Sequence, residues 1–460
     1  MATNAQSPNV TVSTLERLSK DPIGLLRPTR SGLDRKIWAA SDEEVLVDLV
    51  RAERVDTLPV LQDFLKVMML AEADPPRDAG TDGALFLARV DKLLDLGALE
   101  PAKSLIEQAA PDTPALFRRW FDVALLTGTE SEACEVMREF PSIAPTYPAR
   151  IFCLARNGDW NAAALTLNIH RTLGDITEAE EALLARFLDP ELFEGEPFLA
   201  PPERVSPLTF RMHEAIGEPL ITANLPLAFS HADLRFTTAW KAQLEASERL
   251  ARLGAVSENV LLKHYTARTP AASGGIWDRA AAIQRFDAAM IAEDAEAIAE
   301  TLPDAWAAMQ AARTEVQFAK LYGAELQNVP LSGPPARIAF EIGLLSPAYR
   351  DVALTAALTD ADFDPFLTTL ARNRPQGARS LPQQAIQSAF EGAALPEVLQ
   401  TLLDECKTGE ALLRAISLFD AGTEGDLRAV TDALGVLRAI GLDDVARRAS
   451  LQMLLLERRT

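Results

Sequence analysis

The sequence predicts an all-α protein, a solenoid of antiparallel helix hairpins. Three observations carry that expectation. The 460 residues are 48% hydrophobic and 24% charged, enough for several domains or one extended array with a large buried core. Aromatic residues make up only 6% while Ala and Leu abound, which favours helix over sheet. Apolar residues recur at i, i+3, i+4 and i+7 in EEVLVDLVRAER, LPVLQDFLKVMMLAEA, ALFLARVDKLLDLG and EALLRAISLF, each stretch closed by a short Gly, Pro or Asp break.

Taken in order, residues 1–14 read as a flexible N-terminus and residues 15–187 as a helical-repeat array. Residues 188–208, LDPELFEGEPFLAPPERVSPL, are rich in proline and lack helical periodicity, so they read as a linker or an extended segment draped over the array. Residues 209–460 form a second helical region with loops expected at 267–275, 327–335 and 372–382. The final helical stretch, DDVARRASLQMLLLERR, is expected to cap the C-terminal end.

Alignment of the breaks exposes a repeat, clearest over residues 82–175. Gly97, Gly128 and Gly158 lie 31 and 30 residues apart. Five residues after each comes Ala102, Ala133 or Ala163; nine after comes Ile106, Met137 or Leu167; eleven before comes Phe86, Phe117 or Tyr147. A glycine ends the first helix of a hairpin, where positive φ costs it little. The alanine lets the second helix approach closely, and the large residues fill the groove between hairpins. A fainter echo occurs at Leu437, Gly441 and Ala446, and a partial one at Leu250 and Gly254.

These columns resemble the tetratricopeptide repeat (TPR) family, whose pattern has an early aromatic, a turn glycine, then small and large apolar residues. Pro114 and Pro145, three and two residues ahead of Phe117 and Tyr147, match its habit of separating repeats with proline. The period falls short of the family's, and its small helix-A position holds Val90, Phe121 and Ile151, so the array is TPR-like rather than standard. TPR domains that grip acidic peptide tails carry a basic clamp on the inner face. At the corresponding positions stand Leu87, Asp91, Arg118, Asp122, Pro148 and Phe152, so the resemblance does not extend to that clamp.

A net charge of −21 argues against a nucleic-acid partner and against adsorption to anionic lipid. No stretch is long and apolar enough to insert directly into a membrane. The opening MATNAQSPNVTVSTLERL has no basic region followed by an apolar one, but residues 2–8 are small and polar, like the start of a mature exported chain. The expectation is a periplasmic protein whose leader is removed, with the cytoplasm as the alternative. The segment 264–289 also resembles a stretch in uncharacterised envelope-associated proteins of alphaproteobacteria, which implies a location and no activity.

If the chain turns near Ser142-Ile143-Ala144, Cys134 and Cys153 reach the same height on an antiparallel pair. They then read either as a disulfide or as two buried thiols. Cys406 reads as structural.

Catalytic and metal motifs are scarce. His213-Glu214 opens an HExxH-like string, but Gly217 stands where the second His belongs. His170, His231 and His264 show no local ligand pattern. Asp360, Asp362 and Asp364 imitate a calcium loop, yet Pro365 and Ala371 occupy its obligatory Gly and Glu positions; Asp364 reads better as an N-cap before Pro365. Ser273-Gly274-Gly275 feeds a helix without a Walker lysine and reads as a turn, with Trp277 buried behind it. Glu178, Glu180 and Glu181 follow Thr177 as helix-starting acids. Trp160 is expected to seal neighbouring hairpins. No catalytic residue, cofactor or metal is expected.

The functional expectation is therefore a non-catalytic scaffold or adaptor in a bacterial envelope assembly, such as a flagellar, secretion or cell-wall machine. It would recognise protein partners through a groove, preferably ones with a mixed or basic surface. The alternatives are a helical-shell enzyme acting on cell-wall glycan and a self-associating structural subunit.

Overall fold

A computed structural model describes residues 19–357 and 363–456. The expected flexible terminus (1–14), residues 15–18 of the array, and Asp360 and Asp362 lie outside the described residues. Helices α1 (Pro28–Ser31), α2 (Glu43–Ala52) and α3 (Pro59–Leu70) come first. Three hairpins follow: α4 (Ala84–Asp95) with α5 (Leu99–Gln108), α6 (Pro114–Thr127) with α7 (Glu130–Glu139), and α8 (Tyr147–Arg156) with α9 (Trp160–Leu173). After α10 (Glu178–Leu188) come α11 (Pro207–Ala215), α12 (Ser230–Asp233), α13 (Trp240–Arg252), α14 (Glu258–Thr266), α15 (Ile276–Ile291), α16 (Ala295–Ala312), α17 (Glu315–Tyr322) and α18 (Gly333–Leu345). The chain ends with α19 (Tyr349–Ala356), α20 (Pro365–Ala371), α21 (Leu381–Phe390), α22 (Glu397–Asp404), α23 (Thr408–Thr423), α24 (Leu427–Ala439) and α25 (Asp443–Leu455). The fold is all-α: among the described residues the only extended pairing is one isolated bridge between Leu26 and Ala71.

Local chemistry sets the hairpin boundaries. Thr113 caps α6 by accepting the Leu116 N–H, Pro114 stands at its first position, and Gly128 ends it in the left-handed conformation, φ 80°. Gly97 (φ 67°) and Gly158 (φ 85°) turn the other two hairpins in the same way. Ala102, Ala133 and Ala163 are fully buried on the second helix of each hairpin. Thr177 and Glu180 form a reciprocal capping box at the start of α10.

Residues 188–208 form a 3-10 turn, Pro190–Phe193, followed by irregular chain. They are tied down by Arg186, which pairs with Glu218 at 3.0 Å, and by Glu218, which accepts the Leu199 N–H at 2.9 Å. The chain then returns to the hairpin turns. Phe210, Phe229 and Ala232 pack with Leu99, Val123 and Leu126. His231 Nε2 lies 2.7 Å from the Gly97 carbonyl, and Leu227 presses against Gly97 itself. A chain of charges, Arg156–Glu130–Arg211–Glu214–Arg235, clamps this return segment to α7 and α8.

The last helices do not cap an open end; they meet the first ones. Helix α25 packs against α3, α18, α20 and α24, and α23 packs against α2. The cause is visible in its side chains. Ala446, Ala449 and Leu451 are fully buried, and the buried Gln452 accepts the Val60 N–H at 2.9 Å through Oε1. At the same seam Gly409 N–H donates to the Ile37 carbonyl at 2.8 Å, and a β-carbon at 409 would fall 2.4 Å from the Trp38 ring. Arg54 pairs with Asp420 at 2.8 Å across it. One apolar cluster therefore runs from Leu33 to Leu456 and draws residues from both sides of 188–208.

Candidate functional site

The most distinctive surface surrounds the third hairpin. Cys134 on α7 and Cys153 on α8 are joined as a disulfide with their Cα atoms 4.9 Å apart. The 3-10 turn Pro141–Ile143 stands midway between them, so both cysteines reach the same height. The bond closes a loop with a sequence separation of 19 residues and holds α7 and α8 side by side. Asn157 adds a bond from its Nδ2 to the Cys134 carbonyl at 3.3 Å.

Beyond this staple lies Tyr147. Unlike the buried Phe86 and Phe117, it is 40% exposed. It begins α8 instead of sitting inside the helix, and its ring stacks on His170, centroid to centroid 3.4 Å. His170 Nδ1 is 2.8 Å from Asp175 Oδ2. That pairing is not apparent from the sequence because it depends on Gly174, whose φ of 77° reverses the chain at the end of α9 and brings Asp175 back over the last turn. The prolines of the 141–148 segment, with Tyr147, Arg150, Asp175 and Glu180, enclose a cavity of about 530 Å³. Chemically this is a proline- and tyrosine-lined cavity with Arg150, Asp175 and Glu180 in its walls, and the His170 ring stacks on the Tyr147 that lines it.

Helix α9 forms the adjoining face. Of its fourteen residues only Ala163 and Leu167 are buried. Leu165, Ile169 and Leu173, spaced at i, i+4 and i+8, form a stripe that is 61%, 46% and 67% exposed. Trp160, expected to seal neighbouring hairpins, is half exposed and lies 6.4 Å from Phe187. Six of the fourteen exposed large apolar side chains among the described residues fall between 140 and 173, so this is a concentration and not ordinary scatter. The sequence carries the signal: α9 has two apolar faces, and its packing against α8 and α10 leaves the Leu165–Ile169–Leu173 face exposed.

Other candidate positions are structurally occupied. Asp91 holds Arg119 through both oxygens, at 2.5 and 2.6 Å. Asp122 lies beside Arg118, and burial pushes its carboxyl up to about 6. His213 is buried, which lowers its pKa. The Gly274 amide donates to Asp278 of the following helix, so the helix supplies its own anion there, and Trp277 is partly buried 5.1 Å from Trp240. Asp364 caps α20 through the Phe366 N–H. Cys406, expected to be structural, is exposed at a left-handed turn of φ 58° after α22. Among the described residues no group of three His, Cys, Asp or Glu side chains is placed to hold a metal, and no helix is long and apolar enough to cross a membrane. Comparison with protein-family models, curated proteins and solved structures gives no match to this chain.

Proposed function

We propose that the protein is a non-catalytic binding scaffold, a TPR-like hairpin solenoid that docks a partner protein along α9 in a bacterial envelope assembly. The observation that carries this reading is the Leu165–Ile169–Leu173 stripe beside the Tyr147 cavity. In a hairpin stack the outer face of a second helix is covered by the next hairpin. Here α10 packs against α8, α9 and α11, and the stripe stays exposed and open to another chain. An amphipathic helix laid along it would meet anchors at its own i, i+4 and i+7 spacing. A partner with basic flanks fits the net charge of −21. The Cys134–Cys153 disulfide supports an oxidising compartment, hence the periplasm.

The test is a comparison of two tagged proteins, wild type and Leu165→Asp/Leu173→Asp, recovered after mild cross-linking in the native cell. Both positions are exposed, so the fold should survive, and circular dichroism checks it. The scaffold reading expects one near-stoichiometric companion with the wild type and its loss with the variant. Identical companions with both proteins, or none with either, would count against it.

A further inference from the structure

A second surface has the opposite electrostatic character. Helix α20 ends at Ala371, and Asn373, at φ 66°, reverses the chain. The following loop folds back on the helix. Arg374 N–H donates to the Thr369 carbonyl at 2.9 Å, Gln376 N–H donates to Thr369 Oγ1 at 3.2 Å, and Pro375 is buried beneath. Between loop and helix lies a cavity of about 530 Å³ lined by Thr369, Arg372, Arg374 and Gln376. Its lining contains two guanidiniums and no carboxylate.

That lining differs from those of four other cavities of this acidic chain, which include Asp420, Glu218, Asp175 and Asp364 respectively. Among the described residues Arg372 and Arg374 have no acid within ion-pair distance. The helix C-terminus does not repel an anion strongly here. The Thr369 and Leu370 carbonyls are already taken by the Arg374 and Asn373 N–H groups. Asp364 stands at the far end of α20, about 10 Å away along a seven-residue helix. Thr369 anchors the loop, because its hydroxyl donates to the Pro365 and Phe366 carbonyls. The donors left for a ligand are two planar guanidiniums and the Gln376 carboxamide, a set that suits the several oxygens of a phosphate group.

We propose that the cavity formed by Thr369, Arg372, Arg374 and Gln376 binds a phosphate group, carried by a soluble phosphate compound or by a lipid headgroup; the net charge of −21 opposes general adsorption to an anionic surface, so a headgroup would be held at this cavity alone. Two probes distinguish the sources: inorganic phosphate followed by calorimetry, and sedimentation with vesicles of equal parts phosphatidylcholine and phosphatidylglycerol. Each is run on the full chain, on Arg372→Ala/Arg374→Ala, on Gln376→Glu, which places a carboxylate in the cavity, and on Arg268→Ala/Arg428→Ala as a charge-matched control elsewhere. Binding of inorganic phosphate that weakens roughly tenfold or more in both cavity variants, and not in the control, supports a soluble ligand. Vesicle binding alone with the same variant pattern supports a headgroup. Binding of neither probe, or equal weakening in the control, overturns the proposal.

Discussion

Arg89 is fully buried, yet its guanidinium has no carboxylate partner within ion-pair distance among the described residues. It donates instead to the Met69, Ala71 and Asp21 carbonyls at 2.8, 2.8 and 2.9 Å. It thereby closes the C-terminal end of α3 and fastens the chain ahead of α1, at the cost of a pKa lowered by burial to about 10. Replacing it with Met removes three donors at once and leaves buried carbonyls unpaired. Arg89→Met should lower stability by about 3–5 kcal/mol, measured by urea unfolding. Glu53, buried at the seam, accepts a bond from Ser417 Oγ at 3.1 Å, and burial pushes its pKa up to about 7. Between about pH 4.5 and 7 the folded state therefore holds a proton that the unfolded state has lost, so stability falls as pH rises through that window. Glu53→Gln should remove this slope and raise stability above that of the wild type at pH 8 by up to about 3 kcal/mol. Melting curves at pH 5 and pH 8 for both proteins check the prediction, and parallel curves would contradict it.

At the scale of elements, the hairpins were legible because backbone chemistry repeats. The turn glycines and the fully buried alanines occupy equivalent places in each hairpin, and the echoes fall at turns too, with Gly254 between α13 and α14 and Gly441 between α24 and α25. Ala133 has no room for a larger side chain. Ala133→Trp should cost about 1–3 kcal/mol or more by overpacking, whereas Trp at the exposed Ala164 should not. Cys134 and Cys153 are readable as partners only through the height argument, which leaves two buried thiols open as the alternative. Reduction, or Cys134→Ser/Cys153→Ser, should cost about 2–3 kcal/mol through the freed loop, and reductant should then leave the variant's melting temperature unchanged. Tyr147 was misplaced by the same column logic that served Phe86 and Phe117. It stands at the first turn of α8, where a side chain can leave the groove and stack on His170. His170–Asp175 stayed hidden because the pair depends on a chain reversal and not on helical spacing.

At the scale of the whole molecule, sequence periodicity reports which face of a helix is buried but not which distant element covers it. That is why α25 reads as an end cap, although its buried Gln452 and Arg447 find partners in Val60 and Tyr349. Among the described residues α25 and α23 pack on α3 and α2, whereas α9 keeps Leu165, Ile169 and Leu173 exposed. The decisive measurement is site-specific photo-cross-linking in the native cell, with the reactive side chain placed at Ile169 and, for comparison, at Ile291, which is 77% exposed on α15. A docking face along α9 gives a discrete adduct from position 169 that position 291 does not give. Adducts of equal yield at both sites, or none at 169, would contradict partner binding there.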